Sequence, residues 1–346
     1  MTAVQDTATA PVQRLRAAAR SRYRLVVLAL VAVLLAGCGL TLLLGVGPVE
    51  VIDHLADLLG LGGDRSFPVR LRLPRLVTAL AVGAAFGLAG ALFQTVLRNP
   101  LASPDIIGVT GGASLAGAWA ILFAGLTGVW VSVAAFAGAA LVAATILLLS
   151  WSGGLSGYRF VLVGVGLAFV CQSGIGYLVT RSQVEDVRSA LVWMVGAIGT
   201  PTWDSIAVLG VCLLVLFPLA GYAGWRLRAM QLGDETAAGL GLKVGRDRLL
   251  VLVLGVALAA VATAFVGPIA FVAFMSAPIA RRLLPAAGAA LVPSALVGGV
   301  VVVGAELVCE HLLTGLEVPV GIVTGVIGAP YLLWLLATGT ARRSSR

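Results

Sequence analysis

The sequence predicts an all-α integral membrane protein, a densely packed bundle of ten transmembrane helices. Of its 346 residues, 60% are hydrophobic and only 11% are charged, whereas a soluble domain carries roughly 25% charged residues. Long charge-free runs recur along the chain, and a helix needs about 20 apolar residues to cross the hydrocarbon core. The chain also holds 44 glycines. Spacings such as Gly83/Gly87 and Ala295/Gly299 predict close helix contacts, as expected where lipid provides no hydrophobic drive.

The predicted helices follow the charge-free runs in order. The run at 106–158 is long enough for two crossings with a turn near Gly125. The run at 249–280 holds one full crossing and one short, broken one. The expected crossings are 24–45, 72–97, 105–124, 126–150, 158–180, 204–224, 248–267, 270–284, 290–310 and 319–338.

The loops carry Lys and Arg unequally, which sets the expected orientation. With ten crossings, most of the 23 Lys and Arg residues fall on the side of the two termini. Because cytoplasmic loops carry the excess of positive charge, we expect both termini in the cytoplasm. The expected parts are a basic segment at 1–23, a membrane domain at 24–338 with a cytoplasmic loop at 225–247, and a tail at 339–346. The net charge of +8 then reflects topology in a lipid bilayer, and nucleic acid is not an expected partner.

The stretch RNPLASPDIIGVTGG at 98–112 predicts a tight turn between the second and third helices. Asn99–Pro100 stops the first of them, because a residue before proline disfavours helical geometry. Ser103–Pro104–Asp105 gives the next helix a cap, a first-turn proline and an acid favoured by the dipole. A second Pro-interrupted segment, at 267–285, occupies a comparable position in the second half. Such pairs are typical of repeat-built transporters, and the predicted pseudo-repeat relates helices 2–5 to helices 7–10.

The chain offers little chemistry of its own. An ion-driven transporter usually carries ionisable groups within the bilayer, and the predicted helices hold almost none. The single lysine, Lys243, lies in no P-loop pattern, His54 and His311 are far apart, and the four cysteines show no metal-ligand spacing. The sequence therefore predicts a non-enzymatic pathway without metal or cofactor, moved by a separate protein. An ion-coupled secondary transporter of a small solute is the alternative.

Three segments between the crossings predict short helices. The loop at 225–247 contains GDETAAGLGLKVG, with a capping acid, an Ala-rich core and a glycine stop. It predicts one or two short helices where a driver could bind, with an ordinary solvated loop as the alternative. The segments at 46–71 and 185–199 predict surface helices, the second with Trp193 at the membrane interface.

Four stretches match a known family in order and with suitable spacing across residues 24–338. They are RLPRLVTALAVGAAFGLAGALFQTVLRNPLASPDIIGVTGGAS (72–114), LGDETAAGLGLKVGRDR (232–248), GPIAFVAFMSAPIARRLLP (267–285) and EVPVGIVTGVIGAPYLLWLL (317–336). Together they resemble the permease subunits of ATP-binding-cassette importers for iron–siderophores, haem and cobalamin. YLVTRSQVEDVRSALVWMVGAIG and GAPYLLWLL look most like the branch serving ferric enterobactin-like siderophores.

The resemblance implies a permease in the cytoplasmic membrane of a bacterium. Together with a second permease, either a related paralogue or another copy of itself, it would surround a central pathway. Two ATPase subunits would bind the loop at 232–248, and an external substrate-binding protein would deliver a ferric siderophore. The expected coupling residues are Gly233, Asp234, Ala238, Leu240 and Gly241.

Two further sets of residues are expected to serve transport. The fifth helix, with help from the second and third, is expected to line the pathway through the small or weakly polar residues Gly164, Cys171 and Ser173, with packing against neighbouring helices as the alternative. In the resembled family, arginines of RLPR meet acids of the binding protein, which implies docking by Arg72 and Arg75, with snorkelling to headgroups as the alternative. Where many members have an outer arginine, this chain has Glu310, a departure that fits a heteromeric importer.

Overall fold

The regular structure of the described residues is helical, as the sequence predicts. The computed structural model describes residues 3–44, 67–105, 107–151, 157–285, 287–313 and 318–341. Within these ranges the chain forms twelve helices: α1 (Ala3–Leu43), α2 (Phe67–Val96), α3 (Val109–Leu122), α4 (Val129–Ser150), α5 (Gly157–Arg181), α6 (Val184–Val195), α7 (Trp203–Met230), α8 (Asp234–Gly239), α9 (Val244–Val266), α10 (Val272–Leu283), α11 (Leu291–His311) and α12 (Val320–Ala341).

Each of the ten predicted crossings corresponds to one of these helices. Eight helices of the described ranges are long and apolar enough to span a membrane. The other two crossings correspond to α3 and α10, which have only 14 and 12 residues. Both follow non-helical backbone, at 103–105 and 107–108 before α3 and at 267–271 before α10, as their prolines and glycines predict. Gly108 and Phe271, which immediately precede the two helices, have positive φ angles of 88° and 65°.

The prediction was wrong about where α7 ends and α9 begins. Helix α7 continues to Met230, past the predicted end at 224, and α9 already begins at Val244. Two charged residues of this stretch pair with each other inside the two helices. The Arg226 guanidinium lies 5.0 Å from the ring centroid of Tyr222 and pairs with Asp247 in the first turn of α9.

Other short segments agree with expectation or fall outside the description. Helix α6 confirms the short helix predicted within 185–199. Helix α1 begins at Ala3, so the basic segment before residue 24 continues the same helix. The surface helix predicted within 46–71 lies almost entirely outside the described residues.

Helices α2 and α9 form the centre of the bundle, and they are its most buried spans. They pack against each other, while α2 also packs on α11 and α9 on α4. Helix α4 is the third helix of the first predicted repeat, and α11 is the third helix of the second. The first helix of each repeat therefore packs on the third helix of the other repeat. Gly108 lies beside Gly164 near the start of α5, whereas Gly267 lies beside Trp193, beyond the end of α5. The two interrupted entries therefore lie at opposite ends of the bundle, as in an inverted repeat.

Glycines bring the backbones of α2 and α11 into direct contact. A Cβ added at Gly83 would lie 2.5 Å from the carbonyl oxygen of Gly298 on α11, and Gly87 packs equally closely against Ser294. The predicted contact at Gly83/Gly87 is thus confirmed. On α11 the closest atoms belong to Ser294 and Gly298, and Gly299 Cα also lies 2.9 Å from a Cβ added at Gly83. Ala295 and Gly299 in addition line an apolar groove.

Candidate functional site

Helix α8 lies at the end of the bundle opposite Arg72, which we call the α8 end; the other is the Arg72 end. The helix is bounded by Gly233 and Gly241, with φ angles of 109° and 85° that favour glycine. It ends in a Schellman motif, in which the Gly241 N–H donates to the Ala238 carbonyl at 2.9 Å and the Leu242 N–H to the Ala237 carbonyl at 3.1 Å. The structure thus brings the five predicted coupling residues together in one short helix and its two glycine boundaries.

The surface of α8 is divided between a buried and an exposed side. Ala237 is fully buried and holds the helix against the bundle, whereas Ala238 is exposed. Leu232 and Leu240, at either end of α8, are 65% and 62% exposed. Apolar side chains exposed together beside polar ones are typical of a protein-binding surface. Sequence reasoning included Leu240 and missed Leu232, although it directly precedes Gly233.

Ion pairs connect α8 and its neighbours to the bundle. Asp234 Oδ1 lies 2.8 Å from Arg98 Nη2, and its Oδ2 lies 2.9 Å from Arg248 Nη2. The pair of Arg226 and the buried Asp247 joins α7 directly to α9. Both sets link the ends of different helices, so the α8 end is held by charge as well as by packing.

The turn between α2 and α3 contributes an enclosed acid to the same end. Asp105 Oδ2 is buried and has no hydrogen-bond partner among the described residues. Burial raises the pKa of Asp105 to about 7, although a hydrogen bond with Thr110 acts in the opposite direction. A carboxyl group with such a pKa changes its charge near neutral pH.

At the Arg72 end, the predicted docking residues pair with acids of their own chain. Arg72 Nε lies 2.9 Å from Glu310 Oε1, and Arg75 Nη2 lies 2.7 Å from Glu306 Oε1. Arg72 also donates to the Leu44 carbonyl at 2.5 Å and so caps the end of α1. The spacings gave a signal that sequence reasoning missed: arginines three apart on α2 match glutamates four apart on α11, one turn in each case.

Helix α5 presents only part of the predicted pathway lining. Ser173 is exposed and has the exposed amide of Gln172 beside it. Gly164 and Cys171 lie on the opposite, buried side, where Cys171 is only 3% exposed and adjoins Gly111 of α3. The prediction that Gly164 and Cys171 line a pathway is therefore corrected for this conformation, because the glycines of α3 allow it to pack closely on that side.

Comparison with known proteins shows the same fold and organisation. The FecCD transport family matches residues 23–338. The Fe(3+)-citrate import system permease protein YfmE of Bacillus subtilis is 37% identical over 85% of this chain and 89% of its own length. The ferric enterobactin transport system permease protein FepG of Escherichia coli is 34% identical over 77% of this chain and 80% of its own. A solved inward-facing transporter of the metal-chelate ABC type superimposes with a TM-score of 0.78 at 27% identity, covering 91% of this chain and 99% of that one.

Proposed function

Because this chain belongs to the FecCD transport family, and is thus a multi-pass permease subunit of an ATP-binding-cassette importer, we propose that it conducts a ferric chelate into a bacterial cell. The structural observation that carries this proposal is α8, a short exposed helix fixed to the ends of the two central helices. A helix of this kind can enter a groove on another protein. In this proposal an ATPase subunit binds α8, and the α8 end and both termini are cytoplasmic.

The cargo class follows from the relatives. Their names give Fe(3+)-citrate and ferric enterobactin as cargo, both of which are polar chelates that carry their own iron ligands. A pathway for such molecules needs a weakly polar surface that does not hold the cargo tightly. Ser173 and Gln172 on the exposed side of α5 provide one, and we assign them to the lining.

A second permease completes the pathway against α5 and α12. An amide exposed to hydrocarbon is unfavourable, so the side of α5 that carries Gln172 fits a partner or a water-filled space better than lipid. Besides this polar strip, large apolar side chains are exposed on both helices: Leu162, Phe169 and Tyr177 on α5, and Val326 and Leu333 on α12. The partner permease would pack on this apolar surface and leave the polar strip facing the pathway.

The external binding protein docks at the Arg72 end in this proposal. Arg72 and Arg75 lie at the start of α2, and Glu310 lies beside Arg72. Acids of a binding protein would share these guanidinium groups with the acids of α11. Because such rim charges mainly set the rate and orientation of encounter, docking of this kind depends on salt.

The test is reconstitution of the full chain in vesicles with the ATPase, second permease and binding protein that copurify with it. Uptake of 55Fe-labelled ferric citrate and ferric enterobactin is measured with ATP, without ATP, and without the ATPase. We expect uptake of at least one chelate only when ATP and the ATPase are both present. Uptake that follows an ion gradient in vesicles lacking the ATPase would instead identify a secondary transporter and overturn the proposal.

A further inference from the structure

The end of α2 contains an arginine in a position that usually belongs to glycine. The Arg98 N–H donates to the Thr95 carbonyl at 3.3 Å, and the Asn99 N–H donates to the Gln94 carbonyl at 3.1 Å. This is the Schellman pattern, whose left-handed residue is usually glycine. Here that residue is Arg98, with φ of 50°. A side chain retained at a backbone position that disfavours it points to a function for that side chain.

The Arg98 side chain connects three helices. Its Nη2 donates to the carbonyl oxygen of Met230, the last residue of α7, at 2.9 Å and to Asp234 Oδ1 at 2.8 Å. The first contact places a cation at the C-terminus of α7, and the second pairs it with the first residue of α8, where an acid is favoured. Arg98 thus links the end of α2 to both sides of the turn that precedes α8.

Asp234 extends this connection to the second central helix. Its other oxygen, Oδ2, accepts a hydrogen bond from Arg248 in the first turns of α9 at 2.9 Å. One carboxylate of α8 therefore holds the ends of α2 and α9 at the same time. The Asp234 side chain is 47% exposed, and exposed ion pairs contribute little to stability. The arrangement is thus better suited to position α8 than to stabilise the bundle.

We propose that Arg98, Asp234 and Arg248, which we call the carboxylate clamp, transmit movement of α8 to α2 and α9. Arg98 and Arg248 are positioning residues in this scheme, because they act through Asp234 and not on the cargo. An ATPase that moves α8 would shift the ends of both central helices together. This inference rests on the proposed function, since it assumes that a driver binds α8.

The test exploits the strained backbone of Arg98. Arg98→Gly places the favoured residue in the Schellman motif and removes the guanidinium, so the helix end should remain folded while the carboxylate clamp opens. In the reconstituted complex we expect retained ATPase binding, an unchanged or higher melting temperature, and continued ATP hydrolysis. Uptake of 55Fe-labelled ferric citrate or enterobactin per ATP hydrolysed should fall about five- to ten-fold, at the lower end of coupling strengths between linked sites.

A second arm and a control complete the design. Arg248→Gln should lower the same ratio, whereas Arg24→Gln, at an exposed arginine of α1, should not. If wild-type uptake is coupled to ATP and Arg98→Gly is equally well coupled, the carboxylate clamp has no part in transmission. If Arg98→Gly no longer retains the ATPase, the arginine shapes the docking surface and the transmission role is wrong. Absence of ATP-driven uptake in the wild type would overturn the proposed function, and the clamp with it.

Discussion

The contact between α2 and α11 provides a sharp test of how this bundle is held together. Gly83→Ala would add a methyl group 2.5 Å from the carbonyl oxygen of Gly298 and 2.9 Å from the Cα of Gly299. Carbon atoms pack favourably at roughly 3.5–4.0 Å. Both obstructing atoms are backbone atoms, so no side-chain rotation relieves the clash. The two helices must therefore separate by roughly 1 Å along their closest approach.

Two opposing effects set the magnitude of the change. Overpacking of a close-packed contact typically costs about 1–3 kcal/mol. Replacing glycine by alanine inside a helix recovers up to about 1 kcal/mol. We therefore expect Gly83→Ala to lower the free energy of unfolding by about 1–2 kcal/mol, because the backbone contact outweighs the helix propensity.

Gly304→Ala on the partner helix α11 is the control, because a Cβ at Gly304 meets nothing within 4 Å. Melting temperatures of the two variants and the wild type are measured in lipid nanodiscs. Gly83→Ala should melt lower than wild type, and Gly304→Ala should melt at the same temperature or higher. Equal melting temperatures for Gly83→Ala and Gly304→Ala would show that α2 and α11 are not in backbone contact.

Four further outcomes follow from the ion pairs, the enclosed acid and α8. Arg75→Gln strands the buried Glu306 carboxylate and should cost about 3–5 kcal/mol in thermal unfolding, most of which Glu306→Gln in the same chain should restore. The raised pKa of Asp105 means that the folded chain binds this proton more tightly than the unfolded chain does. The free energy of unfolding of the wild type should therefore fall by about 1–3 kcal/mol between pH 5 and pH 8. A pH series of melting temperatures should show this fall in the wild type and no such fall in Asp105→Asn. Arg72→Gln should slow association of the binding protein in surface plasmon resonance, more at low salt than at high salt; a rate unaffected at every salt concentration would leave Arg72 a structural residue. Ala238→Arg should allow insertion but lower uptake per ATP at least about ten-fold, since it places a bulky charge on the exposed side of α8, and normal uptake would contradict the assignment of α8.

The helices and α8 could be predicted because their signals are local. A charge-free run long enough to cross a membrane needs no partner to be recognised. The capping acid and glycine stop of α8 are equally local, and the structure has the helix between Gly233 and Gly241 as expected. Gly83 and Gly87 were recognisable for the same reason, since their four-residue spacing places both on one side of α2.

Contacts between distant segments were not predictable from the same signals. Small-residue spacing does not decide which residues of α11 meet α2 most closely, because Ala295/Gly299 and Ser294/Gly298 have the same four-residue spacing. The pairing of Arg72 with Glu310 requires knowing that the start of α2 lies beside the end of α11. The burial of Cys171 likewise depends on how closely α3 approaches α5, which its flanking sequence does not reveal.

Helix α2 joins the Arg72 end to the α8 end, which the proposed function assigns to the binding protein and to the ATPase. Its 30 residues correspond to a length of roughly 45 Å. Arg72 and Arg75 lie at one end of it, and Arg98 with the carboxylate clamp follows the other. Between them, Gly83 places the backbone of α2 directly on that of α11. A backbone contact has no side chains that can change rotamer to absorb a displacement, so α2 and α11 should move as one body. A displacement of α8 would then reach the Arg72 end almost undiminished. The backbone contact between α2 and α11, which Gly83→Ala disturbs, would also transmit this motion.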